Sequence, residues 1–289
     1  MSYMHIDNLY KNQDILLFKE CYAMEKIHGT SAHVAWYGLR VKLFAGGSDY
    51  FAFKKLFDEP ALEAVFKERF ADGQVTVFGE AYGGKLQGMS KTYGKVLKFV
   101  AFEVRVGKSW LAVPAADDVC AQLGLDFVYY RLIPTTLEAI DAERDAPSAQ
   151  AVRCGIVDEP KMREGVVLRP PIEVVKNNGG RIIAKHKRAE FAETRTPREV
   201  DPAERISYES AEAFAREWVT PMRLAHVLDA FPAAGIEETG AIIKAMVADV
   251  LREAGDEFPE NRDTLKAVSK EAARLFKASL MSRVGEEAV

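Results

Sequence analysis

A change of pattern near residue 197 restricts the fold more than any other feature of this chain. Before it, short apolar runs are separated by Gly, Pro and polar turns, the pattern of strands and short helices. Thr196-Pro197 and Asp201-Pro202 then punctuate a linker. From Ser207 onward apolar residues recur at helical spacing with few turn signals, which predicts helices at about 209–218, 221–230, 237–254 and 261–283. A chain of 289 residues built this way divides into a mixed α/β domain, 1–198, and an all-helical domain, 199–289.

The first part reads in order as a short piece at 15–18, a β-hairpin over 21–45 with its turn at Tyr37-Gly38, and an amphipathic helix over 53–70 broken at Pro60. A strand at 74–80, a Gly- and Lys-containing loop at 82–94 and a strand at 96–106 follow. Helices are expected at 117–123 and 137–144, and strands at 165–169 and 181–187.

Composition excludes several classes. The polar start, MSYMHIDNLYKNQD, has no secretory apolar core, and runs such as 99–102 are far too short to cross a bilayer. Cys21, Cys120 and Cys154 stand alone, without C-x-x-C spacing, which argues for a reducing compartment, the cytoplasm, and against structural zinc. The net charge of −4 does not announce a nucleic-acid binder, but it is unevenly spread. Residues 161–198 hold ten Lys/Arg against four Asp/Glu, and residues 201–289 hold eleven against seventeen. A polyanion would sit on the first of these segments.

The chemistry centres on Lys26-Ile27-His28-Gly29, a K-x-x-G tetrapeptide between two strand patterns. By itself the tetrapeptide also suits an exposed lysine in a hairpin. Further polar residues interrupt or end apolar strand runs. Glu80 ends 75–78, Glu103 follows 100–102, Glu164 opens 165–169, and Lys185 and Lys187 alternate on 181–187 so that both point to one face. Each alone suits a solvated strand end; together with Lys26 they fit a pocket for a triphosphate and a metal. A lysine is ordinarily protonated near neutral pH, with a reference value of about 10.4. Nearby cations, a metal or desolvation free the amine for attack on phosphorus. Magnesium takes oxygen ligands, for which Glu164 is the candidate.

EKIHG (25–29), FGE (78–80), VAFEV (100–104), EGVVLRP (164–170) and AKHK (184–187) occur in the order of five motifs of the covalent nucleotidyltransferases. That superfamily holds ATP-dependent DNA and RNA ligases and mRNA capping enzymes. The resemblance covers roughly 20–195, and KHKRAEFAE (185–193) looks like its final motif. His28 stands where DNA ligases and capping enzymes usually have Asp. EKIHGT is similar to the nick-sealing, double-strand-specific RNA ligases, and the helical tail resembles that branch too, since the other branches continue into an OB-fold of short strands.

The resemblance implies an adenylation domain of antiparallel sheets with flanking helices, plus a small helical C-terminal domain. It implies ATP as AMP donor, Mg²⁺, and three steps: adenylation of Lys26, transfer to a 5′-phosphate, and attack by a 3′-hydroxyl. By motif position, Glu25 and Ile27 lie at the nucleobase, Glu80 at the ribose and Phe102 stacked on adenine. Glu164 serves the metal or the nucleotide, and Lys185 and Lys187 the phosphates. Ser31 stands where the family commonly has Asn and would make a shorter or water-mediated contact. His28 is a candidate for the nucleic-acid steps, or simply a hydrogen-bonded strand histidine. The strand after the nucleophile commonly carries an Arg; here 44–48 reads FAGGS, leaving Lys42 or Arg40 as substitutes. Glu103 stands where Asp is usual.

Two more features are expected at the surface. Arg262, Lys266, Lys270, Arg274 and Lys277 form a basic stripe opposite Leu265, Val268, Ala272, Leu275 and Phe276. It suits either a phosphate track on RNA or a solvated face. Gly107-Lys108-Ser109 lacks the upstream glycine of a P-loop, and the loop at 82–94 does not match one either; that loop suits the mouth of a nucleotide or nucleic-acid groove, or a plain flexible connection. The expected partner is RNA, as a nicked duplex, bound by a monomer without membrane attachment. The rivals are a ligase of DNA or of DNA–RNA hybrids, and a nucleotide- or RNA-binding module that kept the fold and lost turnover.

Overall fold

The computed structural model describes residues 3–176, 179–192, 210–232, 234–259 and 261–287. It divides into two compact units, 1–188 and 189–289. The expected linker with Thr196-Pro197 and Asp201-Pro202, and the expected boundary at 198/199, lie outside the described residues.

The first unit holds two antiparallel sheets. The strands are β1 (Glu20–Lys26), β2 (Thr30–Tyr37), β3 (Val41–Phe44), β4 (Gln74–Gly83), β5 (Leu97–Val106), β6 (Ser109–Trp110), β7 (Tyr130–Pro134), β8 (Gly165–Arg169) and β9 (Ala184–Lys187). One sheet runs β7-β1-β8-β9 and the other β3-β2-β4-β5-β6. The expected hairpin over 21–45 holds around its turn at Tyr37-Gly38 and is corrected in its first strand. Only β2 and β3 pair there, with His33 opposite Phe44, whereas β1 pairs with β7 and β8 in the other sheet. Residues 27–29 carry the chain from one sheet to the other. Alternation in sequence reports that a segment is a strand, not which strand it joins.

Helices α1 (Tyr50–Lys54), α2 (Glu59–Phe70), α3 (Ser90–Tyr93), α4 (Val113–Gln122), α5 (Leu137–Arg144) and α6 (Ala149–Arg153) complete this unit. The helix expected over 53–70 is two helices. The Asp58 side chain accepts from the Ala61 N–H at 3.1 Å and caps α2, and Pro60 sits in the first turn, where its missing N–H costs nothing. Leu62 and Phe66 of α2 are buried against the sheet, with the Phe66 ring stacked on Trp36 at 5.8 Å. Val113, Ala116 and Cys120 of α4 join the same core as Val77 and Val104. Strand β4 is buried on both faces, with Thr76 among its buried residues.

The second unit, among its described residues, is helical: α7 (Ala211–Trp218), α8 (Pro221–Asp229), α9 (Thr239–Ala254) and α10 (Arg262–Glu287). Its core gathers Phe214, Trp218, Leu224, Ile242, Met246, Val250, Val268, Ala272 and Phe276. Arg223 is fully buried, donates through Nε to the Trp218 carbonyl at 2.9 Å and pairs with Asp249, tying α8 to α9. On α10 the buried line runs through Thr264, Val268, Ala272 and Phe276. Leu265, expected on that face, is 39% exposed. No helix of the described residues is long and apolar enough to cross a membrane.

Candidate active site

Strand β1 ends at Lys26, and its neighbours across the sheet are Gly165 on β8 and, beyond that, Lys187 on β9. One pair further along the same face lie Met24, Val167 and Lys185. This face thus presents three lysines, with a glycine between two of them. A Cβ on Gly165 would stand 2.2 Å from the His186 carbonyl oxygen, so no other residue fits the row.

Glu164, just before β8, is the hub. Its Oε2 is 3.0 Å from Lys26 Nζ and 3.2 Å from His28 Nδ1, and its Oε1 is 3.0 Å from Lys187 Nζ. The carboxylate is 1% exposed. Burial alone would raise its pKa. The charges of Lys187 and Lys26 and the hydrogen bond from His28 outweigh burial and hold it well below the ordinary carboxylate range.

Glu80 approaches from the other sheet. It sits opposite Ser31 in the β2–β4 register, so the two share a face. Desolvation pushes its carboxyl up to about 8; Lys26 opposes this, Glu164 adds to it, and a hydrogen bond from the Gly29 N–H opposes it. Two carboxylates near the same lysines are thus driven in opposite directions, the pattern expected of a functional pocket. Gly29 itself is packed so tightly that a Cβ would meet the Ala81 carbonyl oxygen at 2.3 Å.

Of the other expected site residues, Glu25, Ile27 and His28 flank Lys26 in the chain. Glu25, one residue before the lysine, is 2% exposed and accepts from Ser148 Oγ and from the Gln150 N–H at 3.2 Å; burial pushes its carboxyl up. Ile27 is buried in the main core. Phe102 is half-buried, with the Tyr3 ring edge-on at 4.9 Å. His28 lies in the crossover loop rather than in a strand, buried against Glu164. Lys42 on β3 lies over the Tyr37 ring at 5.3 Å, and Arg40 is exposed. In the second unit, Lys266 pairs with Asp263 at 3.5 Å and Arg274 with Glu271 at 2.6 Å, while Lys270 lies on the same helix.

Glu103, grouped in the sequence with the triphosphate pocket, is instead buried with Arg169 at 3.0 Å and with Arg181 and Tyr3, and Glu173 completes this ion network between the sheets. The support that residue spacing misses is the segment after β4. The Tyr93 hydroxyl accepts from the His28 N–H, and Gln87 Nε2 donates to the Gly29 carbonyl, both at 3.4 Å. Nothing in residue spacing announces these bonds. Among the described residues no group of three or more His, Cys, Asp or Glu is gathered for a metal.

A family model described as RNA ligase matches residues 19–187, more than half of the chain. Among solved structures, a ligand-free mutant of a Naegleria gruberi RNA ligase is similar with a TM-score of 0.50 and 17% identity, over 66% of this chain and 57% of that one. The same ligase with pyrophosphate gives 0.49 and 16%, and a mutant with AMP and manganese 0.47 and 15%, over the same shares. For the ligand-free mutant, at 17% identity and a TM-score of 0.50, the likeness is one of fold alone, and the match spans little more than half the length of those ligases. No curated protein matches the chain.

Proposed function

The chain belongs to the RNA ligase family, and we propose that it is an ATP-dependent RNA ligase that joins 3′-hydroxyl and 5′-phosphate ends through an adenylate on Lys26. The observation that carries this reading is the cluster at the end of β1: a lysine hydrogen-bonded to a buried carboxylate, with a second lysine on that carboxylate's other oxygen.

The pocket suits a nucleoside triphosphate. Lys187 and Lys185 supply positive potential for phosphates, and Lys26 lies between them and Glu80. Glu80, neutral below pH 8, accepts from or donates to ribose hydroxyls. Phe102 offers a ring to the base, with Glu25 and Ile27 shaping the wall beside it. Ser31 stands beside Glu80. Mg²⁺ is usually held by one or two carboxylates and substrate phosphates; here Glu164 would hold it together with the phosphates, and it would supply charge neutralisation on them.

In the first step Lys26 Nζ, having given one ammonium proton to water, bonds to the α-phosphorus as the bond to pyrophosphate breaks, and its second proton also goes to water; Glu164, 3.0 Å away and too weak a base to take it, orients the amine. In the second an oxygen of the RNA 5′-phosphate bonds to that phosphorus, the N–P bond breaks, and Lys26 recovers a proton. In the third the 3′-hydroxyl oxygen bonds to the 5′-phosphorus, its proton is lost and AMP leaves. His28, on the oxygen of Glu164 that Lys26 also uses, holds that carboxylate while the lysine changes partners.

Nicked duplex RNA is the proposed substrate, supported by the EKIHGT motif and the helical second unit. A monomer in the reducing cytoplasm is in keeping with three free cysteines. The test is sealing of a 5′-phosphorylated nick with ATP and magnesium. An RNA duplex is expected to be joined faster than an unpaired RNA end or a DNA duplex of the same sequence. Equal or faster sealing of DNA refutes the substrate.

A further inference from the structure

Between Glu80 and Glu103 the chain has no acidic residue, yet it carries Lys85, Lys91, Lys95 and Lys98, in a protein whose net charge is −4. Here Lys85, Lys91 and Lys95 are exposed and Lys98 is half-exposed. Among the described residues these four side chains make no ion pair, whereas Lys26, Lys54, Lys161, Lys176 and Lys187 all do. Four unneutralised cations on one short segment repel one another, so the arrangement costs stability unless an anion is met.

The segment is not a loose loop. It is an insertion at the tip of the β4–β5 hairpin, closed at its base by the Gly84 N–H donating to the Gly94 carbonyl at 3.0 Å. Tyr93 is fully buried, edge-on to Tyr82 at 5.2 Å. Its hydroxyl accepts from the His28 N–H, and Gln87, held at φ 52, donates to the Gly29 carbonyl. Both anchors are backbone groups of the loop that follows Lys26. Lys85 and Lys91 are therefore mounted on the segment that holds the nucleophile loop, with Lys95 just after its closing bond and Lys98 at the start of β5.

We propose that Lys85, Lys91, Lys95 and Lys98 form a phosphate-backbone binding site for the RNA strand whose end is being joined. The site reads charge and not sequence, because lysine ammoniums contact phosphate oxygens as point charges. This inference rests on the ligase reading, and it adds the surface that holds the polynucleotide beside the adenylate.

The test compares wild type with a variant in which all four lysines are alanine, and with one in which all four are arginine. Binding of a nicked, 5′-phosphorylated RNA duplex is measured against salt, and adenylate formation from ATP alone is read in parallel by intact mass. The alanine variant is expected to bind RNA at least about tenfold more weakly at moderate salt, with a log–log salt slope flatter by about three. Its adenylate forms as in wild type, and the arginine variant keeps the wild-type slope. An unchanged slope in the alanine variant overturns the proposal. Should that variant fail to fold, Lys85→Gln, Lys91→Gln and Lys95→Gln are each expected to flatten the slope by about one, and three unchanged slopes overturn it equally. A wild type that forms no adenylate refutes the ligase reading itself, whatever the slopes show.

Discussion

Glu164 and Glu80 are the two residues on which the site turns. Glu164 is the counter-charge of two lysines and a histidine, so Glu164→Gln leaves those groups without a carboxylate in a buried place. Adenylate formation is expected to fall on the order of 100-fold, the size of effect seen when a buried polar group of a reaction site is removed. A stopped-flow or quench measurement of the adduct checks this, and an unchanged rate would remove Glu164 from the chemistry. Glu80 gives a pH prediction of definite sign. Its carboxyl is raised from 4.5 to about 8, so between those values the folded state holds a proton that the unfolded chain has released. Stability must then fall as pH rises through that window. Melting temperatures of wild type and Glu80→Gln, taken across it, are expected to show wild type losing ground steadily. Parallel curves would mean that Glu80 titrates normally.

The decisive element is the crossover at residues 27–29. The expected hairpin with its turn at Tyr37-Gly38 exists as β2 and β3, but the strand before the tetrapeptide, β1, is not part of it. Strand β1 belongs to one sheet, paired with β7 and β8, and β2 to the other; Cys21, Ala23 and Met24 of β1 are buried. Local alternation carries the strand and its two faces; the partner is chosen by long-range packing that no short window contains. For the same reason the motif residues Lys26, Glu80, Glu164 and Lys187 were legible, each being a charged residue where a strand pattern wanted an apolar one. The supports of the loop were not, since Tyr93 and Gln87 act through one hydroxyl and one amide in an irregular segment. Strand β7 was missed because its burial is uneven, with Arg131 and Leu132 exposed. Gly165 sits at the centre of the element argument. Gly165→Ala forces a Cβ into the His186 carbonyl and separates β8 from β9, so a loss of about 2 kcal/mol or more in denaturant unfolding is expected. A neutral substitution would mean that the row of lysines has slack that the structure does not show.

At the scale of the whole chain, charge is segregated. The segment of residues 161–198 is basic, ten Lys/Arg against four Asp/Glu, and residues 201–289 are acidic, eleven against seventeen. The stripe on α10, with Lys266, Lys270 and Arg274, is partly neutralised by Asp263 and Glu271 of the same helix. Ion pairs of that kind weaken a long-range field. The acidic balance of the second unit thus makes the lysines beside the nucleophile loop the stronger candidates for holding a polyanion. Intact mass after incubation with ATP and magnesium, on protein first stripped with pyrophosphate and with Lys26→Ala alongside, decides whether Lys26 carries the adenylate. A gain of one AMP on wild type only is the predicted result, and it fixes Lys26 as the nucleophile. No gain on stripped wild type, or an equal gain on Lys26→Ala, would contradict the account.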